Sequence, residues 1–299
     1  MADLAETPVS AAATPRGGRR QSLADAWALM PVSGRIGLAI LLVYGFVAVT
    51  GPLWAPYAPG QIAAGMPLSS PSLAHPMGTD SLGRDLFSRV VYGTAAVMVM
   101  ALSSTGLAVI LGAVVGLVSG YMRGWVDEIV MRIADILISM PPLIIAILVI
   151  SAFGNHQIVI ILIVALLFAP RVARVVRAAT LGIVTEDYVT AAVCRGESAL
   201  GIAVRELLPN VTGTVFVEFA IRSAFAIMFI GALGFLGFGA PPPTPEWGVM
   251  INEGRRTISA SLWPVLSPAL AMAGLVLAIN LFTEGVARVI GRSPGSAGR

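Results

Sequence analysis

The sequence predicts an all-α integral membrane protein with six transmembrane helices, and three observations carry that prediction. Of its 299 residues 57% are hydrophobic and only 12% are charged, with a mean hydropathy of +0.86, too apolar for a soluble domain. The apolar residues gather into six runs long enough to cross a bilayer, which takes ~20 residues as a helix. The arginines lie between those runs rather than along one basic face, so the net charge of +3 reads as a topology signal, and nucleic acid is excluded as a partner.

Residues 1–30 are rich in Ala, Pro, Gly and Arg, with Arg16, Arg19 and Arg20 close together. They lack the apolar core and cleavage site of a signal peptide and read as a disordered cytoplasmic tail ending in a short surface helix near Leu23 to Leu29. A six-span domain follows over 31–290, with spans at about 36–54, 95–120, 133–153, 157–177, 211–238 and 263–284, and 291–299 forms a second cytoplasmic tail. Pro141 and Pro142 in the third span, and Pro264 and Pro268 opening the sixth, predict kinks rather than breaks where neighbouring helices cover the freed carbonyls. The fourth span is apolar only to Pro170. Beyond it Arg171, Arg174 and Arg177, spaced by three, are expected along one side of a helix emerging into headgroups, where arginine snorkels.

Orientation follows from the arginines. With the N-terminus inside, 14 of the 19 lie in tails and loops on the inner side, 4 (Arg84, Arg89, Arg255, Arg256) lie outside, and Arg222 falls within a span. The positive-inside bias places both termini and the loop at 186–209 in the cytoplasm. All nineteen basic residues are arginine. Without lysine the chain cannot carry the G-x-x-x-x-G-K-[ST] phosphate loop, so an ATP site of that kind must belong to another subunit.

The loop at 186–209 reads as a docking surface. Tyr188, Ala191, Ala192 and Arg195 fall at i, i+3, i+4 and i+7 and share one face of a short helix, with alanines that admit close approach of another backbone. Gly196 permits a sharp turn, a second amphipathic helix runs from Leu200 to Leu208, and Pro209 suits the first turn of a new helix. On the other side of the membrane, His75 to Gly93 reads as a turn followed by a surface amphipathic helix, with Asp80 and Arg84 able to pair at i, i+4. Gly231 to Gly248, GALGFLGFGAPPPTPEWG, closes the fifth span with glycines that favour close helix packing and a stiff proline exit.

These three stretches resemble the membrane-spanning subunits of ATP-driven (ABC) importers that work with a binding protein. In the 186–209 loop Ala191, Ala192, Gly196, Leu208 and Pro209 keep the register of the family's Glu-Ala-Ala, three residues, Gly, nine residues, apolar, any, Leu-Pro pattern. Thr190 stands in place of the glutamate and Glu206 in place of the apolar residue. The string Gly78, Thr79, Asp80, Gly83, Arg84, Asp85 is similar to a mark of the second permease of dipeptide, oligopeptide and nickel importers, and the 231–248 stretch most resembles dipeptide members. The resemblance covers roughly residues 30–290. It implies a type I importer permease of the bacterial inner membrane, paired with a homologous second permease. It further implies two ATP-binding subunits docked on the central loops of the permease pair, here the 186–209 loop, and a periplasmic or surface-anchored binding protein delivering peptides. Nickel, glutathione, opines or sugars are the cargo alternatives within the family, and ATP and magnesium would be held by the partners. Transport would proceed by alternating access, ATP-driven closure of the ATPases re-tilting the spans.

Glu218 and Arg222 are opposed charges four apart inside an apolar run and must face protein or water. An internal ion pair at a helix interface and contact with the charged termini of a peptide are the two readings. Asn280 and Glu284 suit helix packing and headgroups. His75 and His156 lie in expected outside turns without a ligand pattern around them, Cys194 is the single cysteine, and no nucleophile or zinc-protease motif is present, so neither metal binding nor catalysis by this chain is expected. An ion-driven secondary transporter would need midplane carboxylates and inverted repeats, and no repeat is evident.

Overall fold

The computed structural model of the chain describes residues 29–241 and 244–291, so the tails expected at 1–30 and 291–299 fall almost wholly outside the described residues. Among the described residues no strand forms, and the one strand-type bridge is between Thr79 and Asp85. Five helices are long and apolar enough to span: α1 (Val32–Trp54), α2 (Leu86–Met122), α5 (Gln157–Ile183), α7 (Ala199–Phe235) and α9 (Trp263–Gly291). Between α2 and α5 lie α3 (Gly124–Ser139) and α4 (Pro142–Phe153); α6 (Asp187–Cys194) precedes α7, and α8 (Trp247–Gly254) precedes α9.

The third expected span is broken. Helices α3 and α4 meet at 86°, where a kink was expected. Two successive prolines remove two donors, and each restricts the residue before it to extended backbone: Met140 sits at ψ 140° and Pro141 at ψ 113°. No helical carbonyl is left to be covered by a neighbour, so the helix stops and restarts. At ~1.5 Å per residue the 12 residues of α4 reach ~18 Å, about half the hydrocarbon thickness.

The second span is longer than the apolar run suggested. Asp85 caps α2 by accepting from the Ser88 N–H at 2.7 Å, so the helix begins at Leu86 and the surface helix expected near His75 to Gly93 is instead a turn followed by the opening turns of the span itself. Polar Ser88 and Arg89 hid this in the hydropathy, although both are buried. Pro170 does not interrupt α5, and Pro264 falls in the first turn of α9, where its missing N–H is not needed.

The spine of the bundle is α2 against α5, running in the same direction. Gly112, Gly116 and Gly120 recur every four residues on α2, and a Cβ at each would lie within 3 Å of Val172, Ala173 and Thr180 respectively. This small-residue stripe brings the two backbones together where lipid supplies no hydrophobic drive for association. Helix α1 buries only Gly34, Gly37 and Gly51 and leans on α9. A second apolar cluster closes the end bearing the 186–209 hairpin, where Val172 and Val176 of α5 meet Val189, Ala192, Ile202, Leu207 and Val211. The opposite end, with residues 55–85 and α8, is called distal below.

Candidate functional site

At the hairpin end α6 stops at Arg195 and the chain reverses at Gly196, whose φ of +73° suits glycine. Ser198 caps α7 by accepting from the Gly201 N–H at 3.1 Å. Tyr188, Thr190, Ala191 and Arg195 point outward, but Ala192 is fully buried beside Val189. The expected four-residue face therefore loses Ala192, whose side chain anchors α6 to the bundle, and the presented face is Tyr188, Ala191 and Arg195. Burial, followed by the charges of Glu186 and Glu206, pushes the Tyr188 hydroxyl up from its ordinary value. Arg195 donates to Glu197 at 2.6 Å and faces Glu206 at 3.9 Å, so the residue in the apolar position of the family pattern closes a charged corner.

Pro209 does sit in the first turn of the α-helical segment Leu208–Phe235, but that segment is not a separate helix, because α7 runs on from Ala199 to Phe235. The turn Ala203–Leu207 widens to a π-helix and the Leu208 N–H reaches back to Ala203 O. A proline inside a helix removes a bond and crowds the carbonyl four residues earlier; widening the preceding turn relieves both. Leu208 is half-buried and Pro209 exposed.

The distal end is built around Asp80. Its carboxylate accepts from the backbone N–H of Leu82 at 2.9 Å and of Arg84 at 3.0 Å, from Arg84 Nε at 2.6 Å and from Arg89 Nη1 at 2.7 Å. The same arginines donate to Glu253 of α8, Arg84 at 2.7 Å and Arg89 at 2.9 Å. Gly78 and Gly83 take positive φ within this turn, Thr79 hydrogen-bonds Met66 O at 2.5 Å, and Asp85 pairs with His75 at 2.9 Å. The Gly-Thr-Asp…Gly-Arg-Asp string is thus a structural turn that staples α2 to α8. The expected Asp80–Arg84 pair is present, inside a four-charge cluster whose fourth member, Glu253, carried no local signal in the sequence.

Glu246 opens α8 and is fully buried, accepting from the N–H groups of Gly248 at 2.7 Å and Val249 at 3.1 Å. A Cβ on Gly234 would lie 2.0 Å from its Oε2 and one on Gly239 2.6 Å away, so the glycines of the 231–248 stretch form the socket for this carboxylate. Burial pushes its pKa up to about 7, against the lowering effect of the two N–H bonds. The neighbouring Trp247 donates Nε1–H to Val90 O at 3.1 Å. The Glu-Trp-Gly string was visible as a motif, but nothing in the sequence gave its glutamate a partner.

Midway along the spans, Arg222 Nε donates to Glu218 at 2.9 Å and both side chains are mostly buried. Pairing offsets an insertion cost of ~2.5–3.5 kcal/mol per charge on the lenient scale. The α5 arginines do not share one fate. Arg177 pairs with Asp127, which also accepts from Ser119, and Arg174 pairs with Asp135, both carboxylates lying on α3. The expectation that all three snorkel into headgroups is replaced by helix-to-helix pairing for two of them. Arg171 bonds only its own helix, at Leu167 O, 3.2 Å.

A bundle of spans with a glycine-cornered hairpin at one end and a stapled short helix at the other defines a multi-span membrane permease. The chain belongs to the family described as binding-protein-dependent transport system inner membrane component, whose family model matches residues 108–294. It is 36% identical over 258 residues to a peptide transport system permease protein described as putative, from Brucella suis, covering 86% of this chain and 87% of that one. It is 34% identical to the di/tripeptide transport system permease DppC of Pseudomonas aeruginosa (84% of each chain) and 38% identical to the glutathione transport system permease GsiD of Pectobacterium atrosepticum (72% of each). A solved chain from inward-facing conformations of the MetNI methionine ABC transporter shares the fold, with a TM-score of 0.57 at 19% identity over 68% of this chain and 97% of that one. The chain is therefore the membrane permease component of an ABC importer that works with ATPase and substrate-binding partners, and is not itself the catalytic subunit.

Proposed function

We propose that the chain forms half of the translocation pathway for di- or oligopeptides in a bacterial inner membrane, paired with a homologous second permease. Two ATPases, which hold the ATP and magnesium, dock on the central loops of the two permeases, here the hairpin at 186–209, and a periplasmic or surface-anchored binding protein delivers cargo to the distal end. The observation that carries the cargo reading is the identity of 31–38% to permeases named for peptide, dipeptide and glutathione transport, over most of the chain. The absence of lysine, and hence of a Walker lysine, supports assigning ATP to other subunits.

The hairpin supports the docking reading through its outward Tyr188, Ala191 and Arg195 and its open glycine corner. The arginine bias of 14 to 4 supports placing that end in the cytoplasm. Glu218 and Arg222 fit the internal ion-pair reading. Glutathione, itself a tripeptide, is the second cargo, favoured by the GsiD likeness.

Two measurements test this. Uptake of radiolabelled peptide panels and of glutathione by the reconstituted complex decides the cargo, and failure of every peptide removes it. Single cysteines in a Cys194→Ser background decide orientation. Ile62→Cys and Thr244→Cys are expected to react with impermeant maleimide added outside cells and Ser198→Cys is not; the reverse pattern inverts the topology.

A further inference from the structure

Arg171 is the fifteenth residue of the 27 in α5, and Arg222 is the fifteenth of the 28 running from Leu208 to Phe235 in α7. Both arginines therefore lie more than three turns from the nearer end of their helices, and they line one open-sided cavity of about 420 Å³. Arg222 is held by Glu218 and lies 5.9 Å from the Phe225 ring. Arg171 has no carboxylate within ion-pair distance among the described residues and donates only to its own helix, while Arg174 and Arg177 on the same helix have carboxylates from α3. The remaining walls include Phe168, Met228 and Pro142, the last in the opening turn of α4.

Two arginines and one carboxylate leave the cavity with an excess positive charge. The α4 terminus adds to it, since the broken third span begins its second half here and turns the positive end of a 12-residue helix dipole into the same space. Such a surface is too costly to face lipid and must face water or protein. Its chemistry is that of a carboxylate site with an aromatic floor: planar donors that match carboxylate oxygens, and rings that accept an apolar side chain.

We infer that Arg171, beside the Glu218-held Arg222 and the α4 terminus, receives the free carboxylate of the cargo as it crosses the membrane. This rests on the peptide reading above for the identity of the cargo, but not for the existence of an anion site. The cavity is open on one side, suited to transient contact that does not trap the cargo, as a pathway requires.

The test uses the complex assembled with its partners. In a Cys194→Ser, Met228→Cys background, anionic methanethiosulfonate ethylsulfonate is expected to modify the cysteine at least 10-fold faster, relative to a free thiol, than the cationic trimethylammonium reagent. Arg171→Gln is expected to remove most of that preference. Uptake should fall at least 5-fold in Arg171→Gln at unchanged subunit stoichiometry and unchanged stimulated ATP hydrolysis, and Arg171→Lys should retain half or more. Equal rates for the two reagents, no reaction with either, normal uptake in Arg171→Gln, or loss of a subunit from that variant would each overturn the site. The last outcome would make Arg171 a contact between permeases. If the wild-type complex carries no peptide, the cargo reading fails while the reagent rates still judge the anion site.

Discussion

The two ends of the bundle are built on opposite plans. At the distal end Asp80, Arg84, Arg89 and Glu253 satisfy one another across α2 and α8, Glu246 fills a glycine socket, and Trp247 bonds the backbone of α2. At the hairpin end Arg195, itself exposed, pairs with Glu197 and Glu206, and the space around Gly196 is open. A region whose charges pair with one another keeps its shape before any partner arrives. One that presents a bare corner on buried anchors is suited to receive a partner, which agrees with the docking role proposed for it. Buried, mutually paired charges are costly to break and exposed pairs contribute little, so the two ends should respond differently to substitution.

The sharpest contrast comes from Gly196→Asp. The side chain meets nothing within 4 Å in the chain itself, so the fold should lose only the ~1–2 kcal/mol of left-handed strain. Uptake and binding-protein-stimulated ATP hydrolysis should fall at least 10-fold in proteoliposomes, with ATPase subunits lost on co-purification. Gly196→Ala carries the strain without the charge and bulk, and should retain far more activity. Normal coupling in the aspartate variant would remove the docking role from this loop.

Asp80→Asn should do the reverse, lowering stability before it touches coupling. Its carboxylate holds two arginines and two backbone donors, and breaking a buried ionic network costs about 3–5 kcal/mol. The thermal midpoint of the purified permease should drop by many degrees, while ATPase retention per folded complex stays unchanged. A shift of less than a degree would show that the staple is dispensable.

Glu246 adds a pH dependence to the distal end alone. Its carboxyl is held near 7, above the ordinary 4.5. The folded state therefore binds the proton more tightly than the unfolded chain does. That stabilisation is fully present below pH 4.5 and is lost as pH rises through about 7, a change on the order of 3 kcal/mol. Thermal stability should fall between pH 5 and 7.5 and level above, and Glu246→Gln should flatten the slope. An unchanged slope in that variant would assign the pH dependence elsewhere.

The smallest effect is expected at the Glu218–Arg222 pair. Glu218→Gln leaves Arg222 without its carboxylate and should cost about 1–3 kcal/mol of stability, with the double change Glu218→Gln, Arg222→Gln recovering part of it. A shift in which peptides are carried by an intact complex would favour substrate contact instead.

The spans were legible because hydropathy is a property of contiguous residues. Five of the six runs became spanning helices, and the glycine corner at 196 followed from one residue type. What escaped was non-local. Asp80 and Glu253 lie 173 positions apart in sequence, and Arg174 and Arg177 find carboxylates only because α3 folds back along α5. Helical spacing alone puts Ala192 on the outward face, because it cannot distinguish a docking face from an anchoring one when both carry alanine. The Gly112, Gly116, Gly120 stripe was readable as a four-residue repeat of glycine, a signal hidden inside a run already explained by its hydropathy. Hydropathy alone does not separate a kink from a break at Pro141 and Pro142, since neighbours can cover the carbonyl freed by one proline but two in succession force extended backbone.

The continuity of α7 has a mechanical consequence. A single rod of 37 residues joins the corner at Ser198 to the glycine socket that holds Glu246, a reach of ~55 Å at helical rise. Its one wide turn, at Ala203–Leu207, adds a residue of phase, so the corner is rotated by about 100° relative to where an unbroken α-screw would carry it. Removing one residue there would restore the regular screw and turn the corner to another bearing, drawing Val189 and Ala192 out of the cluster they share with Val172 and Val176. Torque arriving at one end of such a rod need not bend any helix to be felt at the other.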